Sequence, residues 1–291
     1  MNSTPDVSVI IVSWNVRQRL EPCLRSIPAA LGGLRGEVLV IDNASSDGSA
    51  DAAQAHASEI PHLNVMRNQD NLGFGKASNM GLRQGRGEYL LLLNPDTALH
   101  PNAIAALVAC AKNHHAAAVG ARHVNLDGTP QPSVRRLPTP GAMALMLLKL
   151  HRVLPRLPVL QRYFARDFDY ATTQPAEQVA GSCCLIPRWA LEKIGHLDER
   201  FHHWFEDVDW CRRARGAGLA MCYCAEATVI HAGGTSFQQL ASLARQRQFN
   251  RSLLHYVRKH HGPMVWALLT TLQPISLLLA ATAAVTRVNR Q

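Results

Sequence analysis

The sequence predicts an open α/β sheet through its first half, on three observations. Short, almost continuously apolar runs rich in Val, Ile and Leu recur, as strands buried on both faces require. Helix-forming segments separate them, so strand and helix alternate. Carboxylates and amides gather where those runs end, at the carboxyl edge where such sheets bind ligands. The 291 residues suffice for one large or two small domains. At 47% hydrophobic and 18% charged, the composition is globular and excludes a disordered chain.

"VSVIIVSWN" (Val7 to Asn15) is the first strand and ends on the polar Ser13 to Asn15 segment. A helix follows around Arg17 to Leu31. "GEVLVIDNASSDGS" is a second strand, ending at Asp42, that runs into a turn at Asp47-Gly48. "LNVMRNQDNLGFGKASNMGLRQG" supplies a short third strand, a glycine-containing loop and a helix. "EYLLLLNPDTALHP" is the fourth strand, ending at Asn94-Pro95-Asp96. Pro101 is expected to open a helix through about Asn113, and "AAAVGARHV" is a further strand. Asp42, Asp96 and Ser13 to Asn15 thus meet at one edge.

The middle and the end differ in composition. From Gly128 to Arg166 there is no acidic residue, and "GAMALMLLKLHRVLPRLPVL" mixes apolar with basic residues. Two readings stay open: an insertion with a core-facing helix, or a surface for anionic lipid headgroups. After Glu226 the chain has no acidic residue. "RQRQFNRSLLHYVRKHH" reads as a basic helix, and residues 262–286 are uncharged. That length can span a bilayer, but Gln273-Pro274 interrupts its centre. An interfacial or re-entrant hairpin is favoured over a single span or a packing helix. With basic residues at both ends, the positive-inside rule gives no orientation. The N-terminus lacks a basic segment before its short apolar run, unlike a secretory signal. The seven cysteines are therefore read as reduced, in a cytosolic compartment. A zinc site from Cys211, Cys222, Cys224 and His231 matches no common spacing, and buried packing thiols are expected instead.

Four constellations carry chemistry. Asp96, delivered by an apolar strand and preceded by a proline, suits a hard cation holding phosphate oxygens, or else caps the following helix. Asp42 at its strand end could accept a hydrogen bond from a base or ribose. In "NQDNLGFGKASNMG", Gly73 and Gly75 let a ligand approach the backbone before a helix N-terminus. This is neither the dinucleotide fingerprint nor a Walker loop. "HHWFEDVDWCRR" packs Glu206, Asp207 and Asp209 together. A helix from Asp207 to about Arg215 would set Asp207 in the favourable field of its N-terminus. Clustered carboxylates can hold one as a base near neutral pH, while Asp209 is expected to pair with Arg212, Arg213 or Arg215. His231 in "ATVIHAGGTS" is a strand histidine or a ligand-facing one.

Taken in order, "VSVIIVSWN", "VIDNASSDGS", "NLGFGKASNMG", "LLLLNPDTALHP", "AGSCCLIPR", "FEDVDWCRR" and "VIHAGGTS" resemble the family 2 inverting glycosyltransferases of GT-A fold over residues 5 to 260. The "NPD" form and the basic, hydrophobic tail resemble rhamnosyltransferase-like members. The resemblance implies a Rossmann-like, mixed but mostly parallel sheet flanked by helices, with a C-terminal helical membrane-associating extension. Residues 1–240 would be the catalytic domain, with 1–125 its nucleotide-sugar half and 126–240 its acceptor half. Residues 241–291 would be the basic helix and hydrophobic tail. It implies donor contacts from Ser13, Asn15, Asp42, Asn71, Gly73, Asn79, Asn94 and Gly181, with Asp42 on the base. Mg²⁺ or Mn²⁺ would bind Asp96 and His231; Asn94 stands where the family's D-x-D motif has its first Asp and adds no charge. Asp207 would be the catalytic base, supported by Glu206, and Trp204 a stacking surface for acceptor.

The implied partners are a nucleotide-sugar donor, a lipid-linked or glycan acceptor, the cytoplasmic face of the inner membrane as a peripheral attachment, and a second copy of the chain. The net charge of +9 admits nucleic acid. The basic residues, however, track the apolar segments rather than an aromatic groove, so no nucleic-acid partner is expected. A nucleotidyltransferase would share Asp96 but not need Glu206-Asp207; a non-catalytic relative would not need either acid.

Overall fold

The structure, a computed structural model, describes residues 4–60, 62–233 and 242–288. β1 (Val7–Ser13) is buried at every position. Val7, Val9 and Ile11 enter one core while Ile10 and Val12 enter another, because alternate side chains of a strand point to opposite faces. That is why the run is apolar throughout. α1 (Arg17–Ala30) buries Leu20, Leu24 and Ile27 against the first face. β2 (Gly36–Asp42) pairs parallel with β1, placing Ser13 opposite Asp42. α2 (Ser49–Ala55) leads to β3 (Leu63–Arg67), parallel to β2. α3 (Phe74–Gln84) buries Ala77 and Leu82 against the second face, and β4 (Tyr89–Leu93) pairs parallel with the free side of β1.

The chain then turns at Asn94 to Asp96 into β5 (Thr97–Leu99), a short strand that sequence patterning did not mark. α4 (Ala103–His114) starts two residues after Pro101, because Asn102 takes a left-handed conformation (φ 62°) just before it. β6 (Ala118–Val124) is followed by the short β7 (Pro130–Gln131) and β8 (Val134–Arg135). α5 (Pro140–Leu147) is capped by Thr139, whose hydroxyl accepts from the amide of Ala142. It buries Ala142, Met143 and Leu147, which answers to the core-facing reading of the middle segment. Val153 and Leu154 nearby remain exposed. α6 (Pro158–Tyr163), β9 (Gln174–Ala176) and β10 (Gln178–Val179) follow.

The second half breaks the parallel pattern. β11 (Cys183–Pro187) inserts antiparallel between β4 and β6. After α7 (Arg188–Ile194) and α8 (Glu206–Gly216), β12 (Met221–His231) runs parallel to β6 and antiparallel to β5. Among the described residues the sheet order is β3-β2-β1-β4-β11-β6-β12-β5, with β7 beside β6 and β9 beside β12. β8 and β10 form a separate pair. The sheet is mixed, parallel across β3-β2-β1-β4, and flanked by helices on both faces.

α9 (Ser242–Thr270) is broken at Gly262, whose φ of 84° is left-handed, with Pro263 following. Its first part buries Leu253, Leu254, Tyr256 and Val257 with Phe201, Phe205 and α5 in a third core. α10 (Gln273–Val288) packs against α9. Among the described residues no single helix is long and apolar enough to cross a membrane. The two stretches Leu243–Thr270 and Gln273–Thr282, bent by 60°, meet that length and composition only as a pair.

Candidate active site

A cleft of about 320 Å³ opens at the carboxyl ends of β1 and β4. Asn71, Asn94, Asp96, Gly181, Trp204, Glu206, Asp207 and His231, all expected from the sequence, lie on its wall. The fold brings Asp96 and His231 together by a crossover. β5 pairs with β12 so that Thr97 lies opposite His231, and Asp96 immediately precedes Thr97. His231 Nε2 is 3.5 Å from Asp96 Oδ1.

The imidazole of His231 is oriented by Gln131, which sequence reading missed. The Gln131 amide nitrogen donates to Asn125 Oδ1 (2.8 Å) and to the His231 carbonyl (3.2 Å). Its oxygen therefore faces His231 Nδ1, 2.6 Å away, and Nδ1 carries the proton. Nε2 is left with its lone pair, buried and without a hydrogen bond. An aligned nitrogen lone pair beside a carboxylate oxygen is a donor set that fits a divalent cation. Edge-on to His231, 5.5 Å between ring centres, sits His123. Burial pushes its pKa down to about 4, so it stays neutral there. Its Nε2 lies 2.8 Å from the Ser182 hydroxyl.

Asp207 occupies the first turn of α8, where backbone N–H groups are unpaired and the helix field favours negative charge. The Gly181 amide donates to its Oδ2 (3.0 Å) and the Val208 amide to its Oδ1 (2.8 Å). A Cβ on residue 181 would stand 3.4 Å from Asp207 Cβ, so glycine leaves room for this close approach. Burial nonetheless raises the Asp207 pKa above its usual value, with the two amides opposing. Glu206 is raised further, first by burial and then by the Asp207 charge. Its Oε2 is buried with no hydrogen bond among the described residues. Asp209 does pair: it accepts from Arg213 Nε at 2.9 Å, His260 Nε2 at 2.7 Å and Lys259 Nζ at 2.6 Å. Burial pushes its pKa up, but these partners outweigh it and hold the carboxyl low.

Two consecutive non-glycine residues with left-handed backbone, Trp204 (φ 62°) and Phe205 (φ 70°), precede α8. Such conformations cost about 1–3 kcal/mol each and cluster at functional sites. They turn the Trp204 ring to the cleft, edge-on to Phe249 of α9 at 5.8 Å. Tyr163 and Phe249 complete this aromatic wall. Neither carried a sequence signal, because both come from segments read as membrane-facing or insertional.

The remaining expected donor residues lie outside the cleft wall. Asp42 is buried, with Oδ2 accepting from the Ser45 amide (3.0 Å) and Oδ1 unpartnered. Asn15 takes φ 51°, and its side-chain oxygen accepts from the Ser46 amide. Ser13 is fully buried at the end of β1. Gly73 (φ 81°) packs under His202, whose ring a Cβ would strike at 2.3 Å. Asn79 is buried and ties α3 to the next layer through Leu197 and Glu199. Asn43, not foreseen, bonds to Asn68, Asn71 and the Gly73 carbonyl and holds that loop at the cleft rim. The glycine loop expected after His231 lies, from residue 234 on, outside the described residues.

The sequence pattern of glycosyltransferase-like family 2 matches residues 5–250. The chain belongs to that family. It is a glycosyltransferase. Over 287 aligned residues it is 29% identical to the N-acetylglucosaminyl-diphospho-decaprenol L-rhamnosyltransferase of Mycobacterium tuberculosis, covering 91% of this chain and 90% of that one. It is 26% identical to the low-salt glycan biosynthesis hexosyltransferase Agl10 of Haloferax volcanii, covering 78% and 67%. Among solved structures, the mannosyltransferase of Pyrobaculum calidifontis in complex with GDP-Man and Mn²⁺ superposes with a TM-score of 0.58. That match has 16% identity and covers 98% of this glycosyltransferase and 76% of that chain. The likeness establishes the GT-A fold of this glycosyltransferase.

Proposed function

We propose that this glycosyltransferase moves L-rhamnose, from a dTDP-linked donor, onto a lipid-linked diphospho-sugar with inversion at the anomeric carbon. The observation that carries the reaction type is Asp207. A carboxylate with a raised pKa, held by two amides, shares one cleft with the Asp96–His231 pair. The choice of sugar and acceptor rests on the named activity of the Mycobacterium tuberculosis relative, matched nearly end to end. A UDP-hexose donor is the competing assignment, because the cleft residues named above read the diphosphate and acceptor rather than the sugar.

In this reading Asp207 accepts the proton of the acceptor hydroxyl, and that oxygen bonds to the anomeric carbon on the face opposite the diphosphate. The anomeric C–O bond breaks as the new one forms, and its electron pair leaves with the nucleoside diphosphate. One base suffices, as no covalent sugar–enzyme intermediate forms. Asp96 Oδ1 and His231 Nε2 would hold Mg²⁺ or Mn²⁺; what a bound cation supplies is neutralisation of charge on the departing diphosphate. Trp204, Phe249 and Tyr163 offer apolar walls to the acceptor. Asp42, which directly precedes the cleft-lining Asn43 and has an unpartnered buried Oδ1, suits an N–H of a base reaching past the cleft rim.

The membrane attachment belongs to the same reading. Met264, Leu268, Ile275 and Leu278 are exposed on α9 and α10. Beside them Arg200, Arg247, Arg251 and Arg258 line a second pocket with Trp266. Apolar side chains beside cations suit a surface of anionic lipid. The deciding experiment incubates the purified chain with Mg²⁺ or Mn²⁺, a lipid-linked N-acetylglucosaminyl diphosphate and labelled dTDP-rhamnose or UDP-hexoses in turn. Transfer from dTDP-rhamnose is expected, with the anomeric configuration of the product opposite to that of the donor. Transfer only from a UDP-hexose overturns the sugar assignment, and retention of configuration overturns the single-base mechanism.

A further inference from the structure

All seven cysteines are reduced and buried, but three of them are not dispersed through the core. β12 presents Cys222 and Cys224, two residues apart and therefore on one face, toward α4. α4 presents Cys110 and His114, one helical turn apart and therefore also on one face. The Cys110 and Cys222 sulfurs are 3.5 Å apart, and the donor atoms of Cys110, His114 and Cys222 all lie within 4.8 Å of one another. Cys224 meets Cys110 as well, and its thiol donates to Glu226 Oε2 at 3.4 Å.

We propose that Cys110, His114 and Cys222 bind one soft divalent cation, Zn²⁺ in the cell. The spacing suits a shared metal ion and not a disulfide. Tetrahedral zinc with bonds of about 2.3 Å to sulfur sets its ligand sulfurs about 3.8 Å apart, close to the observed 3.5 Å. A disulfide would instead need the sulfurs to close to about 2.05 Å. Two thiols and an imidazole are the donor set this ion prefers, and hard cations do not. The cysteines are buried while His114 is exposed, which provides an entry path. The site also sits in the last turn of α4, where the helix field favours a cation.

The grouping weighed from sequence, which joined Cys222 and Cys224 to Cys211 and His231, is not the one the fold assembles. Cys211 packs in the core on the opposite face of the sheet, and His231 lies at the other end of β12. Cys222 and His231 are nine residues apart along that strand, roughly 30 Å at about 3.3 Å per residue. The proposed cation is therefore separate from the one in the cleft. Its effect is to clip α4 to the start of the strand whose end carries His231.

The test uses the reduced full-length chain titrated with Co²⁺, followed by Zn²⁺ displacement. The cleft offers no thiol, so thiolate-to-cobalt charge-transfer absorption reports this site alone. Wild type and Asp96→Asn are expected to show that absorption equally, saturating at about one equivalent. Cys222→Ser should abolish it, and surface-directed His114→Ala, which leaves the core intact, should weaken cobalt binding about tenfold or more, the loss expected for one ligand bond. Zn²⁺ should raise the Tm of wild type more than that of His114→Ala. Absence of the absorption in reduced wild type overturns the proposal, as does absorption unchanged in both thiol-site variants.

Discussion

At the scale of single residues, the cleft separates three neighbouring carboxyls by their surroundings. Asp209 has three hydrogen-bonding partners, Arg213, Lys259 and His260; Glu206 has no ion-pair partner among the described residues; and Asp207 has two amides and an opening to the cleft. Asp207→Asn keeps the shape but cannot take a proton, so kcat is expected to fall about 10²–10⁴-fold with little change in donor KM, measured by steady-state transfer. Because burial raises the Asp207 pKa, the acid limb of kcat/KM should lie above the ordinary carboxylate value of about 3.9. Activity is gained as pH rises through that limb. Glu206 carries a stability signature of opposite use. Its native pKa lies well above the unfolded value, so above about pH 4.3 the unfolded chain ionises while the native one keeps its proton. Stability is lost as pH rises across that window. Glu206→Gln should therefore raise the Tm at pH 7–8 relative to wild type, with the gain shrinking toward pH 4 in a thermal-melt series. The clustering of acids in "HHWFEDVDWCRR" and the pairing of Asp209 with a nearby arginine were legible in the sequence; its further partners Lys259 and His260 were not. Lys259 and His260 lie some fifty residues away in sequence and reach Asp209 only through the packing of α9.

At the scale of elements, α8 and α9 form one unit through that buried carboxylate. Lys259 bridges Asp209 (2.6 Å) and Asp198 (2.8 Å), while Arg213 donates to the carbonyls of Ile194 and His196. Asp209 thus locks α8 to both the preceding loop and the C-terminal helix. Removing one partner of a fully buried charge network leaves the others uncompensated. Asp209→Ala is therefore expected to cost about 3–5 kcal/mol in urea unfolding. The depressed Asp209 pKa gives this network a pH sign: its contribution is present above the unfolded value of about 3.9 and lost as pH falls below it. At the same scale, Gln131 sits in a two-residue strand and orients His231. Gln131→Leu should weaken Mn²⁺ binding in calorimetry about tenfold or more, as removal of an outer hydrogen-bond partner does elsewhere, while leaving the Tm nearly unchanged. Strands β1 to β4 were readable because burial on both faces makes every position apolar. The short β5, β7 and β8 were not, because two or three residues carry no periodicity.

At the scale of the whole molecule, charge and apolar surface are segregated. The acidic residues end with Glu226, and the helices beyond carry both the arginine-lined pocket and the exposed Met264, Leu268, Ile275 and Leu278. Leu268→Glu with Leu278→Glu places two charges on the apolar face while sparing the buried side of α9. This variant should lose flotation with vesicles containing anionic lipid and retain its fold by circular dichroism. Binding of wild type should weaken as salt rises, since part of the attraction is screened. Equal flotation of both chains would remove this face from the attachment.

By itself, the sequence determined the α/β class, the succession of strands β1 to β4 along the chain, the family and the identity of the acids at the strand ends. Each of these is written in local pattern: apolar period, turn residues and short motifs in order. Only the tertiary structure decided that Asp96 meets His231 across the β5–β12 pairing, that Gln131 sets the histidine's tautomer, and that α9 supplies Phe249 to the cleft. It alone separated Asp42, Asn15 and Asn79 from the cleft wall and drew Cys110 and His114 to Cys222. These are contacts between segments distant along the chain, and no local pattern records which distant residue a side chain will face.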